Sequence, residues 1–441
     1  MYAIVLLVLV GWCCMTYSRP NIVILMADDL GYHDVSWHNS QVLMPNLHNL
    51  AQAGIILDQH YSQATCAPSR GALLTGRYPV NIQMNPRQFK PTTPFGLPTK
   101  YPTMAEMLKS EGYVTHAVGK WHLGFCNKKY LPTSRGFDHH FGFWLGSQDY
   151  YNHLRGDGYD LRSDLDVVRT NKKTYSAELY GKKAAKIISR HRKSKDPLFM
   201  YLAFQSVHGP LQVPKEYKAL YSQVKNKTRR TYLGMVTAMD TAVGQVVAAL
   251  KKNDMANNTV IVFLSDNGGP LSQGANNSPL RGSKGSPLEG GTRTPSFMTG
   301  YNLLPRTETR MFHITDWLPT LMDMAGVKYR KKRLDGVSHW ASLSTNKTMW
   351  NRKEMLYAVR DMTKVAMRVG DWKLILPKQL YNLRHDVMEK ENMAKTNQDI
   401  VRKIMARMDR YTKDIVKLEY PKMTPKGHPR HWNGTWTYGW C

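Results

Sequence analysis

Four apolar runs constrain the fold more than anything else in this chain. "NIVILM" at Asn21 to Met26, "THAVG" ending near Gly119, "PLFMYLAF" from Pro197 and "TVIVFLS" from Thr259 each read as a buried strand. Between them lie helix patterns, "PNLHNLAQAG", "PTMAEMLKSEG" and "TYLGMVTAMDTAVGQVVAALKK". In the last of these, Leu233, Val236, Met239, Val243, Val247 and Leu250 share one face. Runs that are apolar throughout belong to strands covered on both sides, so the pattern predicts an α/β fold: a large, mostly parallel mixed sheet flanked by helices. Each run then hands over to polar residues: Asp28 and Asp29, Lys120 and His122, His208, and Asp266 with Asn267. One Asp after a strand is usually a cap or turn residue, and one His a structural one. Four such handovers at the edge where open α/β sheets bind ligands point to a site.

Beyond about residue 340 the texture changes to short strands, "EMLYAV", "KVAMRVG" and "DWKLILP", and a helix from Gln398 to Lys413. This predicts a smaller antiparallel sheet with a packed helix, giving a main domain over 19–340 and a C-terminal one over 341–441. The stretches Arg155–Glu178 and Gly268–Thr294 are long loops, and loops of that length in compact domains are usually functional.

The opening "MYAIVLLVLVGWCCMTYSRP" reads as a secretory signal peptide, residues 1–18, cleaved near Ser18. No later stretch approaches the ~20 apolar residues of a spanning helix, so no membrane span is expected in the mature protein. Cys13 and Cys14 leave with the leader, and Cys66, Cys126 and Cys441 remain, an odd number for an oxidising compartment. Sequons at Asn226, Asn257, Asn276, Asn346 and Asn433 agree with a glycoprotein. A net charge of +28 directs a secreted protein toward anionic polysaccharides, anionic lipid surfaces or acidic proteins. No zinc-ligand spacing, aromatic RNA-binding strand or basic helix supports nucleic acid, and "KYRKKR" at Lys328 to Arg333 is the one concentrated basic run.

In "SQATCAPSRGALLTGRY", Cys66 opens a short helix with Pro68 in its first turn and Gly76 as its stop. The amino end of a helix activates a nucleophile or holds an anion. A structural cysteine, disulfide-bonded or buried, is the alternative. Asp28, Asp29, Asp266 and Asn267 offer only carboxylate and amide oxygens, a set for a hard cation, calcium or magnesium. Arg70, Lys120 and Lys284 with the titratable His122 and His208 surround it, which suits a sulfate or phosphate ester.

"CAPSRGALLTGR" resembles the sulfatase signature, and "NIVILMADDLGYHDV", "GKWHLG", "QSVHGPLQVP" and "SDNGG" resemble further blocks of that family in its order, over about residues 19–325. "LPTSRGFDHHFGFWLGSQDYYNH" and "LRGSKGSPLEGG" are similar to the arylsulfatase B-like group, the N-acetylgalactosamine-4-sulfatases with arylsulfatases I and J. The resemblance implies an alkaline-phosphatase-like fold and a sulfuric ester hydrolase acting on a sulfated glycosaminoglycan or aryl sulfate. It implies that a formylglycine-generating enzyme oxidises Cys66 to formylglycine during secretion. It further implies that Asp28, Asp29, Asp266, Asn267 and residue 66 ligate calcium. By the same resemblance Arg70 holds the aldehyde hydrate, His122 takes its proton, Lys120 bridges hydrate and sulfate, His208 protonates the leaving alcohol and Lys284 sits on sulfate. A lysosomal or secreted location follows.

The group's cysteine pair after the signature helix is replaced here by "FKPTTPFGLPTK", and Cys126 falls before the usual position, so the group's disulfides do not transfer. With Cys66 converted, Cys126 and Cys441 remain as an even pair. A bond between them, docking the aromatic "HWNGTWTYGWC" end beside "GFCNKKY", is expected against two unpaired thiols or pairing between subunits. Competing readings are a phosphodiesterase of the same fold, which would want a Ser or Thr nucleophile and two metals, and a catalytically inactive, basic, secreted glycan-binding protein.

Overall fold

Strand β1 (Asn21–Ala27) is buried along its whole length because it lies in the middle of a ten-stranded sheet. The computed structural model describes residues 19–84, 90–169, 173–331, 334–345, 349, 352–357, 365–412 and 421–441. The leader over 1–18 and the sequon at Asn346 lie outside them, as do Lys413 and the end of "KYRKKR". Strands β2 (Val114–Lys120), β3 (Leu198–Ala203) and β4 (Thr259–Ser265) complete the centre in the spatial order β4-β1-β3-β2, all parallel. His139–Phe143 continues the parallel run beyond β2. The flanks turn antiparallel, through Ser296–Gly300 beside β4 and through the pair Arg162–Ser163 and Asp166–Val167 at the far edge. The expected mixed, mostly parallel sheet is therefore present.

The period of two along β1 divides the core. Ile22, Ile24 and Met26 face helix α1 (Cys66–Thr75) and Trp317, whereas Val23, Leu25 and Ala27 face helices α2 (Ser176–His191) and α3 (Lys227–Lys252). Each of the Ile, Val, Leu and Met side chains, fully buried, contributes ~1.5–3 kcal/mol of transfer free energy. Helix α3 is long and apolar enough to cross a membrane by length and composition, contrary to the expectation that no later stretch comes close. Yet 72% of its most apolar window is buried in the protein, as befits a core helix. It begins four residues before the expected Thr231, where the Asn226 side chain accepts from the Arg229 N–H and caps the helix.

The small sheet has four antiparallel strands, Glu354–Tyr357, Ala366–Val369, Trp372–Ile375 and Gln379–Asn382. One face packs on the helix Gln398–Thr412 through Val401, Ile404 and Met408. The other meets the large sheet's side of the molecule, where Lys373 Nζ lies 2.9 Å from both Glu289 and Glu389 and Tyr61 donates to Glu289 at 2.7 Å. The last residues leave this sheet and return to the main core. Cys126 and Cys441 form a disulfide, Trp436 and Trp440 are buried, and the Gly439 and Trp440 N–H groups donate to Cys126 O. The expected aromatic dock is present, within one chain.

Candidate active site

Register brings the carboxylates together. Ala27 pairs with Ser265 across β1 and β4, so Asp28 and Asp29 leave the sheet level with Asp266 and Asn267. Asp29 has φ 64°, a left-handed kink that turns its side chain off the strand path. All four side chains are buried. Asn267 donates to Asp29 Oδ1 at 2.7 Å, and Asp29 N–H donates to Asp266 Oδ1 at 3.3 Å.

Helix α1 supplies the next two groups from its first turns. Thr65 is extended ahead of it and Gly76, at φ 65°, closes it with its N–H on Ala72 O, as expected. Cys66, the first helical residue, is fully buried and its Sγ lies 3.4 Å from Asp28 Oδ1. Burial, Asp266 and Asp28 push its thiol well above the ordinary range. One turn on, Arg70 donates through Nε and Nη2 to Asp266 Oδ2 at 3.0 and 2.8 Å, and through Nη1 to Tyr201 Oη at 3.3 Å. Burial and the Asp28 carboxylate raise the Asp266 carboxyl above the usual carboxylate range.

From the end of β2, Lys120 pairs with Asp28, and the loop after it is fixed by Trp121 and His122 N–H groups on Phe143 O and Trp144 O. His122 has φ 56°, and burial with Lys120 and Arg70 beside it holds its imidazole far below the usual range. Lys284 arrives from the long Gly-rich loop and sits 2.6 Å from Asp29 Oδ1; burial would lower its ammonium, and Asp29 overrides that. His208, after β3, donates from Nδ1 to Gly209 O at 2.7 Å, which leaves Nε2 facing Asp29 Oδ2 at 3.8 Å. All ten residues named from the sequence thus lie in one cluster.

Two buried oxygens in this cluster, Asp29 Oδ2 and Asn267 Oδ1, have no hydrogen-bond partner among the described residues, and ligating atoms of Asp28, Asp29, Cys66 and His208 lie within 4.8 Å of one another. Unsatisfied carboxylate and amide oxygens side by side fit a hard cation. Three carboxylates (Asp28, Asp29, Asp266) already face three cations (Arg70, Lys120, Lys284). A divalent cation and a doubly charged oxyanion can therefore enter together without unbalancing the site.

The mouth is a cavity of about 250 Å³ over His122 and His208, walled by Phe125, Trp144, Lys90 and Arg155. None of these four walls is a site residue by the sequence reading. Gly146 also escaped notice: a Cβ there would lie 2.8 Å from His122 Nε2, so the imidazole needs its bare backbone. The Arg155–Glu178 segment, read as loop, carries short pairs, among them Leu154–Arg155 with Gly158–Tyr159, which hold Arg155 at the rim.

A family model described as sulfatase matches residues 20–327. Arylsulfatase J of Mus musculus is 35% identical over 95% of this chain and 80% of its own length. N-acetylgalactosamine-6-sulfatase of Canis lupus familiaris is 30% identical over 80% of this chain and 71% of its own. The crystal structure of Ps i-CgsB in complex with k-i-k-neocarrahexaose superimposes with a TM-score of 0.85 at 32% identity, covering 93% of this chain and 96% of that one.

Proposed function

The chain belongs to the sulfatase family and is an enzyme of sulfate ester hydrolysis; from that premise we propose that it takes sulfate from a sulfated sugar, using a formylglycine made from Cys66 and one calcium ion. The substrate class we infer is a glycosaminoglycan of the chondroitin or dermatan type, sulfated on N-acetylgalactosamine, with aryl sulfates as small surrogates. Support comes from the relatives that act on N-acetylgalactosamine sulfates and from the similar structure that holds an oligosaccharide. A formylglycine-generating enzyme would act on the chain in the secretory route, and the mature protein would be lysosomal or secreted.

The observation that carries this reading is the pair of buried oxygens of Asp29 and Asn267, beside residue 66, that accept no hydrogen bond from the described residues. Asp28, Asp29, Asp266, Asn267 and residue 66 would hold calcium, which when bound supplies positive charge to a sulfate oxygen. Formylglycine supplies a hydrated aldehyde, a nucleophile with a second hydroxyl that lets sulfate depart without attack by water. Arg70, locked on Asp266, orients residue 66 at the start of its helix. Lys120 and Lys284 trade part of their hold on Asp28 and Asp29 for the sulfate oxygens, whose charge grows as the ester bond breaks. His122 takes the proton at residue 66. His208 presents Nε2 to the leaving oxygen, its Nδ1–H fixed on Gly209 O.

Peptide mass spectrometry of the secreted protein should find formylglycine at position 66, and Cys66→Ala should lose turnover with its thermal midpoint kept. An active protein with cysteine at 66, or full activity after exhaustive chelation, would overturn the proposal.

A further inference from the structure

A second cavity, of about 380 Å³, opens beside the early residues of β2, where His116 precedes Lys120 by four residues, or ~13 Å of strand. Its volume lies in the ~300–1,000 Å³ range of ligand pockets. Helix α2 forms one wall with Lys183, Lys186 and Arg190, spaced to share a face. Lys183 Nζ lies 4.6 Å over the Phe141 ring, and the rings of His116 and His139 stack at 5.3 Å. The linear sequence hides this basic face, because Ala184, Ala185, Ile187 and Ile188 interrupt the charges that the helix gathers.

Two features separate the cavity from a plain basic patch. His140, 2% exposed, turns Nε2 to Gly119 O at 3.4 Å, and its Nδ1, like the buried Nδ1 of His116, has no hydrogen-bond partner among the described residues. Both nitrogens are closed to solvent, so these two histidines serve the cavity as ring faces and not as acceptors. The carboxylate of the cavity, Asp164, is occupied by the His140 N–H at 2.7 Å and by His139 Nδ1 at 3.5 Å. Flat rings and cations in one concave surface describe a sulfated or carboxylated sugar better than a nucleic-acid backbone or a bilayer.

We propose that this cavity is a second glycan-binding site, separate from the active site, that holds a sulfated polysaccharide chain through Lys183, Lys186 and Arg190. The choice of a sulfated glycan rests on the function proposed above; the cavity and its chemistry do not.

The test uses the full chain bearing Cys66→Ala, so that binding is read without turnover, and a chondroitin sulfate decasaccharide as probe. The triple variant K183Q/K186Q/R190Q should weaken binding at least about tenfold. The triple K225Q/K378Q/R402Q, which removes the same charge from exposed positions away from the cavity, should not. With Cys66 restored, the first triple should keep its turnover of a small aryl sulfate and raise KM on the polymer. Equal losses in both triples, unchanged binding in the first, equal binding of the desulfated chain, or equal binding of polyphosphate or duplex DNA through the same residues would each overturn the proposal. Complete displacement by free sulfate at matched concentration would reduce the cavity to an oxyanion site and overturn it too. Failure of the sulfatase reading would appear separately, as absent aryl sulfate turnover in the unaltered protein.

Discussion

At the scale of single residues, the site is built by neighbours that restrict one another. Gly146→Ala would push a methyl group into the His122 ring, 2.8 Å away, with no flexible chain end to yield. We expect kcat to fall by about 10–100-fold, since displacements of an ångström cost that much at a catalytic group, while the thermal midpoint stays nearly constant; an unchanged kcat would show that His122 tolerates the shift. His208→Ala should harm sugar sulfates more than activated aryl sulfates, because a phenolate leaves without a proton and a sugar alkoxide does not. Parallel kinetics on the two substrates check this, and equal losses would remove His208 from the acid role. Most of the ten clustered residues are legible because they follow a strand or lie in the first turns of a helix, positions whose geometry the hydrophobic pattern fixes; Lys284, in the Gly-rich loop, is legible only through the family resemblance. Gly146, Lys90 and Arg155 are not legible, for their importance lies in which distant loop comes near them, and nothing local in the chain encodes that.

At the scale of elements, the long apolar strands and the helix ended by Gly76 could be read directly, whereas elements with polar ends could not. Helix α3 starts in a charged "KTRR" turn with no apolar period, and only its cap marks the boundary. The strand Gln379–Asn382 is short and polar at both ends, and it exists because Trp372–Ile375 lies beside it. The cap carries a test. Asn226→Ala should cost about 1 kcal/mol in denaturant unfolding, the usual value of a lost helix N-cap. Asn226→Asp keeps an oxygen for the Arg229 N–H and should cost little, although it removes the sequon just as fully. If both variants lost the same stability, a glycan and not the cap would be holding the helix.

At the scale of the whole molecule, buried histidines set the response to acid. His60 accepts from the Trp317 indole N–H at 3.0 Å, so its Nε2 must carry a lone pair, and burial lowers its imidazole to about 3; burial lowers His140 to about 4. His313, also buried, is held far below the usual range. Unfolded, each would titrate near 6.5. Between 6.5 and about 4 the unfolded chain therefore binds more protons than the folded one, and stability is full above 6.5 and drains as the pH falls. At pH 5 each such ring costs about 2 kcal/mol. Thermal midpoints measured from pH 7.5 to 5 should decline steadily, and a flat profile would refute the assignment.

The bond between Cys126 and Cys441 joins positions 315 residues apart. Topologically, most of the polypeptide is a ring with one long tail, and a ring must be opened twice before anything falls away. A single proteolytic nick at an exposed site inside it, such as Lys225, would yield two chains by sequencing and one species by mass. The pieces should part only when a reductant is added, so maturation by cleavage, if it occurs there, would be invisible on a non-reducing gel.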